Sequence, residues 1–196
     1  PRSTQVAGRR QRQMCIRVRL TATHKALLYS ASDIAVLRDD ELSQHPFLSR
    51  VGPDILDRAL ATEQVAERLC EPRFRRRALG SLYLDQGFLA GNGNYLRSEI
   101  LWAASLDPAR KPAALSGTEL TGLAGETLTI ARRSYRTRGV TVPDGLARSL
   151  KAEGLTYGQY RFYVFGREGL PCYRCGTPIE KRTMSSRNLF VCPSCQ

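Results

Sequence analysis

With 196 residues, 42% of them hydrophobic and 24% charged, the chain has the size and composition of one large or two to three small folded domains, and not of a disordered tail. Its apolar runs are too short to cross a bilayer or to form an export signal, so we expect a cytoplasmic protein. A net charge of +12 favours a polyanionic partner, with nucleic acid as the first candidate.

The first predicted element is a β-hairpin over residues 15–29. Ile16, Val18 and Leu20 alternate with arginines, and a second apolar run follows a polar turn. Two strands alone cannot bury both faces of a sheet, so a stable sheet would need further strands. We therefore interpret residues 1–53 as the remnant of a larger β-domain.

Four helices are predicted within residues 54–138, which would pack as a compact helical domain. Apolar residues recur there at helical spacing, and candidate caps and prolines mark the ends of the helices. The fourth helix opens with Ser116-Gly-Thr-Glu119, which has the spacing of a capping box. The predicted positions are Thr62 to Pro72, Arg77 to Ala90, Asn94 to just before Pro108, and a fourth helix from Ser116.

Residues 139–158 are rich in glycine and charge, and we interpret them as a linker. Beyond them, the alternation of Tyr160, Phe162 and Val164 predicts a strand. This strand would open a final domain at residues 159–196.

Four cysteines near the end of the chain form two Cys-x-x-Cys pairs, which are Cys172 with Cys175 and Cys192 with Cys195. Each pair can offer two thiolates to a tetrahedral metal ion, and the sixteen residues between the pairs can form a hairpin. Two disulfides are the alternative, which a reducing cytoplasm disfavours. Because four protein ligands leave no open coordination position, the sequence predicts one structural zinc ion.

The basic residues are unevenly distributed along the chain. Residues 1–32 carry seven basic residues and no acidic one, whereas residues 33–72 carry nine acidic residues and four basic ones. A high arginine content can also reflect genome composition, but the segregation of charge favours a nucleic-acid-binding surface.

Between the second and third predicted helices lies the turn Gly91-Asn92-Gly93-Asn94. Glycines permit a tight reversal here, and the first amides of the next helix are then exposed and can bind a phosphate group. A simple corner between two helices, with Asn94 as the N-cap residue, is the alternative.

The run from Phe88 to Trp102, together with the four-cysteine finger, resembles the formamidopyrimidine-DNA glycosylase / endonuclease VIII family and in particular its pyrimidine-directed branch. The stretches Leu28–Ile34 and His45–Asp54 also look like this family, so the resemblance extends from about residue 14 to the end of the chain. It implies an α+β fold with a remnant of an N-terminal β-sandwich, a helix-two-turn-helix domain and a C-terminal β-hairpin zinc finger.

The resemblance implies roles for three residues. The phosphate-clamping asparagine of the family falls on Asn94, a DNA-contacting arginine falls on Arg50, and the catalytic arginine of the finger falls on Arg187. The finger arginine is usually said to donate a proton in the final elimination. Because a guanidinium hardly ever deprotonates, we interpret Arg187 instead as a group that grips the departing phosphate. A solvated charge at a hairpin tip is the alternative.

The chain departs from the family pattern at its first residues. The family carries its chemistry on Pro-Glu-Gly-Pro, in which the proline attacks the sugar and the glutamate acts as an acid, and on a later lysine. Here Pro1 is followed by Arg2. We therefore expect that this catalytic segment is absent and that the chain alone is inactive; a Schiff-base role for Pro1 is the alternative. Asn92 stands where the family generally has an apolar residue, and we expect it to soften the turn.

The resemblance thus predicts a role in DNA base-excision repair. The activity implied is that of a bifunctional DNA glycosylase and AP lyase, which removes oxidised pyrimidines and nicks the strand by β,δ-elimination. This chain would supply the clamp on damaged duplex DNA as a monomer near the nucleoid, without a membrane partner and with zinc as its cofactor. There are two alternatives. One is a non-catalytic zinc-dependent DNA-binding module, and the other is a zinc-ribbon protein that interacts with RNA or polymerase.

Overall fold

The structure, a computed structural model, describes residues 17–20, 22–28 and 37–196, which fall into two compact units divided after Ser49. In the first unit, strands β1 (Arg17–Leu20) and β2 (Lys25–Leu28) pair antiparallel and confirm the predicted hairpin. Two 3-10 turns follow, at Asp39–Gln44 and Leu48–Arg50. Pro1 lies outside the described residues, as does most of the segment interpreted as the remnant of a β-sandwich, so those interpretations stay predictions.

The second unit is a helical domain that ends in a two-stranded hairpin, as predicted. No helix in the described part of the chain is long and apolar enough to cross a membrane. In chain order the elements are α1 (Thr62–Cys70), α2 (Leu79–Leu82), α3 (Asn94–Ala103), α4 (Gly117–Arg136), α5 (Asp144–Ala152), α6 (Tyr157–Tyr160), β3 (Glu180–Met184) and β4 (Arg187–Val191), with a 3-10 turn at Pro112–Ala114.

The main core lies between α1, α3 and α4, which confirms three of the four predicted helices. The capping box of α4 is present: the backbone N–H of Glu119 donates to the Ser116 hydroxyl over 3.2 Å, and the Ser116 N–H donates to the Glu119 carboxylate over 2.8 Å. The buried apolar side chains of the core include Val65 and Leu69 of α1, Ile100 and Leu101 of α3, and Leu123 and Leu128 of α4.

The predicted second helix is wrong in length, because α2 ends at Leu82 and not at Ala90. The residues after α2 use their backbone groups to pair with another segment of the chain. The Gln86 carbonyl accepts the N–H of Gly52 over 2.8 Å, and the N–H of Ala90 donates to the Pro53 carbonyl over 3.0 Å. A helix through these residues would leave that pairing unmade.

The interpretation of residues 139–158 as a linker is also wrong, because α5 and α6 lie there around a small apolar core. Gly139 and Gly154 have positive φ values of 104° and 87° and follow the ends of α4 and α5. Glycines in this conformation commonly terminate helices. Two of the glycines that suggested a linker are therefore helix-ending residues, and the other two, Gly145 and Gly158, lie within α5 and α6.

The strand predicted around Tyr160, Phe162 and Val164 does not form, because this segment is bonded to a buried carboxylate. The backbone N–H groups of Tyr163, Val164 and Phe165 donate to Glu99 of α3 over 2.7, 2.9 and 2.9 Å. The Thr141 hydroxyl is a fourth donor to the same group. Burial raises the pKa of Glu99, and these hydrogen bonds oppose that shift. The segment is thereby curled around Glu99 and is not extended.

We predict that Glu99→Gln lowers the free energy of unfolding by about 2–4 kcal/mol, because a side-chain amide would turn its NH2 group toward buried N–H donors. Urea denaturation monitored by circular dichroism would measure the change. Glu67→Gln on the exposed face of α1 is the matched control and should change stability by less than about 0.5 kcal/mol. Equal stability of the two variants would contradict this role of Glu99.

Candidate nucleic-acid interface and metal centre

The four predicted cysteine ligands come together at the base of the β3–β4 hairpin. Their sulfur atoms all lie within 4.8 Å of one another, with 3.9 Å between Cys172 and Cys195 and 3.4 Å between Cys175 and Cys192. Zinc–sulfur bonds of about 2.3 Å in a tetrahedron separate the sulfurs by about 3.8 Å, whereas a disulfide joins them at about 2.05 Å. The geometry therefore fits one structural zinc ion and not two disulfides.

The backbone around the first cysteine pair has the form of a metal-binding turn. The N–H of Arg174 points at the Cys172 sulfur over 3.4 Å, and Gly176 has a positive φ of 77°, which suits the tight turn after the second cysteine. The buried Cys172 and Cys192 also pack in an apolar cluster with Trp102 of α3. The metal centre is therefore part of the contact between the finger and α3.

A strained two-residue turn joins β3 to β4. Ser185 and Ser186 both have positive φ values, 55° and 57°, in a position that normally favours Asn and Gly. The Ser185 hydroxyl donates to the Ser81 hydroxyl of α2 over 2.8 Å. This contact holds the hairpin tip against the helical domain and fixes the position of the exposed Arg187, which opens β4.

Asn94 is the first residue of α3, and Gly93 is its N-cap residue, so the alternative that Asn94 caps the helix is wrong. Its side-chain NH2 donates to the Asn188 carbonyl over 2.9 Å, and its side-chain oxygen accepts from Arg97 over 2.6 Å. Asn188 directly follows Arg187 in β4. The structure therefore brings together two of the three predicted site residues, Asn94 and Arg187, at the point where α3 meets the finger.

Arg97 is a residue of this site that the sequence analysis did not single out. Its fully buried guanidinium donates to the carbonyls of Gly80 over 2.9 Å, Asn188 over 3.2 Å and Met184 over 3.3 Å. Burial and the neighbouring positive charge of Arg187 lower the pKa of Arg97 to about 10. In the sequence, the signal that could have identified Arg97 is its position among the apolar core residues of α3.

The charges at this junction favour an anion. In the described part of the chain no carboxylate forms an ion pair with Arg97 or Arg187. The two like charges therefore repel each other, and a bound phosphate would offset both of them. The adjacent N-terminus of α3 adds its own preference for negative charge.

Arg50, the third predicted site residue, is connected to the turn before α3 through the backbone. It is exposed at the end of a 3-10 turn, and the segment that follows pairs with residues 86–90. Within that pairing, the Gln86 side chain accepts the N–H of Gly91 and donates to the Asn92 carbonyl, each over 2.9 Å. Gly52 is required here, because a Cβ atom would lie 2.6 Å from the Phe88 carbonyl oxygen. Arg50 is thus connected to the turn before α3 through backbone pairing.

Asn92 does not soften the turn, contrary to the expectation from the sequence. It is buried, with 2% of its surface exposed, and its NH2 group donates to the Tyr83 carbonyl over 2.5 Å. This bond ties the turn to the end of α2. The side-chain oxygen of Asn92 has no hydrogen-bond partner among the described residues, so the site is held at some cost in desolvation.

We predict one zinc ion per chain, and we expect its removal to change the emission of Trp102, the only tryptophan. Trp102 is 4% exposed and packs against the finger, so loss of the metal should expose it and shift its fluorescence to longer wavelength. Far-ultraviolet circular dichroism should keep most of its helical signal. Elemental analysis and fluorescence during chelation would measure these effects.

The Cys70→Ser variant is the control, because Cys70 lies outside the cluster and should not affect the metal content. Absence of zinc from the purified protein, or an unchanged emission after chelation, would contradict the assignment of the metal centre.

Comparison with known proteins identifies the same two parts of the chain, a helical domain and a zinc finger. The sequence profile of the formamidopyrimidine-DNA glycosylase H2TH domain matches residues 51–144, and that of the zinc finger found in FPG and IleRS matches residues 169–196. Endonuclease 8 of Klebsiella pneumoniae subsp. pneumoniae is 51% identical over 187 residues, which cover 95% of this chain and 68% of the relative. Endonuclease 8 of Shigella sonnei is 52% identical over 182 residues, covering 92% of this chain and 66% of the relative.

Solved structures show the same fold. The MutM (Fpg) protein of Thermus thermophilus superposes with a TM-score of 0.68 at 31% identity, covering 92% of this chain and 71% of that protein. The Fpg of Lactococcus lactis, in a complex with DNA that contains an abasic site, has a TM-score of 0.63 at 22% identity, covering 88% of this chain and 58% of that protein. The chain spans about two thirds of the curated relatives and belongs to the formamidopyrimidine-DNA glycosylase / endonuclease 8 family.

Proposed function

We propose that this chain is the DNA-gripping part of a base-excision-repair glycosylase and AP lyase that acts on oxidised pyrimidines. The observation that carries the proposal is the junction of α3 with the finger, where Asn94, Arg97 and Arg187 meet and the two guanidiniums lack a carboxylate partner among the described residues. Such a junction suits a DNA phosphate, and the relatives named endonuclease 8 supply the class of reaction.

Asn94, Arg97 and Arg187 would each have a different role in binding one phosphate group. Arg97 is fixed by carbonyl groups and holds the Asn94 side chain in place. The NH2 group of Asn94 has a second N–H besides the one bonded to Asn188, which can donate to a phosphate oxygen, while the exposed Arg187 offers a planar pair of N–H donors. The arrangement supplies both a neutral and a charged hydrogen-bond donor.

Arg187 has a further role in strand cleavage in this proposal. Elimination removes a proton from one sugar carbon, and its electron pair forms a double bond to the neighbouring carbon. The bond between that neighbouring carbon and a phosphate oxygen breaks at the same time, and the phosphate leaves with the bonding electron pair. A guanidinium at that oxygen stabilises the developing negative charge without giving up its own proton. Arg187 would therefore assist the departure of the phosphate as an electrostatic group and not as an acid.

The amine nucleophile and its acid are not assigned to any of the described residues. The sequence Pro-Glu-Gly-Pro, on which the family resemblance places them, does not occur in the 196 residues. A polypeptide of these residues alone would act as a zinc-dependent DNA-binding module without catalysis, which is the alternative function.

We predict that binding to duplex DNA weakens steeply with salt and that Arg50→Ala or Arg187→Ala lowers the slope of log Kd against log salt by about one unit each. Fluorescence anisotropy with a labelled duplex that contains an abasic site would measure these slopes. Arg148→Ala, an exposed arginine of α5, is the control and should leave the slope unchanged. A DNA affinity that does not depend on salt would contradict the assignment of Arg50 and Arg187 as phosphate ligands.

We also predict that a polypeptide of these 196 residues binds abasic DNA but forms no covalent adduct that borohydride traps. Positioned nucleophiles and acids each accelerate such reactions by orders of magnitude, and the clamp residues provide neither. Gel electrophoresis after borohydride treatment would detect the adduct, with a full-length endonuclease 8 as the positive control. Efficient trapping that is lost when Pro1 is blocked would show that Pro1 is the nucleophile.

A further inference from the structure

A groove of about 660 Å³ lies between the C-terminal half of α4 and the turn that precedes α1. Three arginines, an exposed tyrosine, a leucine and one aspartate line the groove. Tyr135 keeps 74% of its surface exposed. The lining residues are Asp54, Leu56, Arg58, Arg132, Tyr135 and Arg136.

The groove is positively charged, with three guanidiniums against the single carboxylate of Asp54. In the part of the chain that the structure describes, neither Arg58 nor Arg136 forms an ion pair, and both are exposed. The Asp54 carboxylate already accepts the N–H of Leu56 over 2.8 Å. Two arginines of the groove are therefore available to an anion from outside.

One wall of the groove is held in place by Arg132. Its guanidinium donates to the carbonyls of Asp57 over 3.1 Å and Leu60 over 2.8 Å, which fixes the turn against α4. Arg132 thus serves mainly to shape the groove, whereas Arg58, Arg136 and the Tyr135 hydroxyl supply donors for a ligand. A groove with fixed walls loses less entropy when a ligand binds than a flexible surface does.

The groove adjoins the turn that carries Asn94. Asp54 forms a β-bridge with Ala90, directly before Gly91, and Ser134 precedes Tyr135. The Ser134 hydroxyl lies 3.1 Å from the hydroxyl of Tyr95, the residue after Asn94. Two independent contacts therefore connect the walls of the groove to the residues on either side of Asn94, within the same compact unit.

We propose that this groove binds the sugar-phosphate backbone of duplex DNA next to the phosphate held by Asn94, with Arg136 and Arg58 as phosphate ligands and the Tyr135 hydroxyl as a further donor. This inference rests on the proposed function, because it extends the path of the same DNA strand. The groove is large enough for more than one phosphate group, and arginine and tyrosine side chains are common donors to backbone phosphates. Contacts of this kind do not depend on the base sequence.

The test measures binding of one abasic duplex to Arg136→Ala, Tyr135→Phe and the control Arg148→Ala. Arg136→Ala should weaken binding by about 3- to 10-fold at moderate salt and lower the salt slope by about one unit, equally for damaged and undamaged duplexes. Tyr135→Phe keeps the ring and removes only the hydroxyl, so it should weaken binding by a smaller factor at an unchanged slope. All three side chains are exposed, and equal melting temperatures would show that the fold is intact.

Replacement of single phosphates by neutral methylphosphonates would then locate the contact. Replacement of either of two neighbouring phosphates should weaken DNA binding by the unaltered protein. In Arg136→Ala, replacement of one of these phosphates should no longer weaken binding, and in Asn94→Ala the same should hold for the other phosphate. If Arg136→Ala behaves like Arg148→Ala while Asn94→Ala weakens binding, the groove is not a DNA contact and the proposed function stands. If the unaltered protein shows no affinity for duplex DNA, the proposed function itself is wrong.

Discussion

A polar group that is removed from water must find a hydrogen-bond partner, and α3 places three such residues side by side in the interior. Arg97, Ser98 and Glu99 are each fully buried. Arg97 and Ser98 are bonded to the finger, since the Ser98 hydroxyl accepts the N–H of Phe190 over 3.3 Å. Glu99 is bonded to the segment that leads into the finger. These requirements fix where the finger can sit on the helical domain.

The metal centre and the hairpin tip depend on that arrangement. The Trp102 ring stacks on Tyr163 with 4.2 Å between the ring centres, and Arg174 from the first cysteine turn lies 4.4 Å above the same ring. At the far end of the finger, Ser185 is bonded to α2. The zinc ion would hold the base of the hairpin while α2 holds its tip, so Arg187 is supported from both directions.

The features that the sequence predicted well are those whose physical cause is local. Two Cys-x-x-Cys pairs predict a metal centre because each spacing brings two sulfurs together within one turn, and a short hairpin can join the two pairs. The capping box predicts the start of α4 because both partners lie within one turn of helix. The glycine-rich turn before α3 and the strands of the finger belong to the same class, since short-range rules determine them.

The features that the sequence did not predict depend on partners far away in the chain. The alternation of Tyr160, Phe162 and Val164 suits a strand, but Glu99 lies more than sixty residues earlier and captures the N–H groups that a strand would use. The length of α2 is set by pairing with Gly52 in the same way. Arg97 was overlooked because its role follows from three carbonyls contributed by separate elements.

Helix α3 is short, and side-chain contacts hold it at both ends. Its ten residues span about 15 Å, with Asn94 at the first position and Trp102 one residue before the last. Residues 96–101 are buried, so neighbouring elements restrict bending of the helix when the finger is displaced. A rotation of the finger must therefore turn Asn94 with it or break the bonds of Arg97 and Glu99. Asn94 and the metal centre, at opposite ends of α3, would therefore move together.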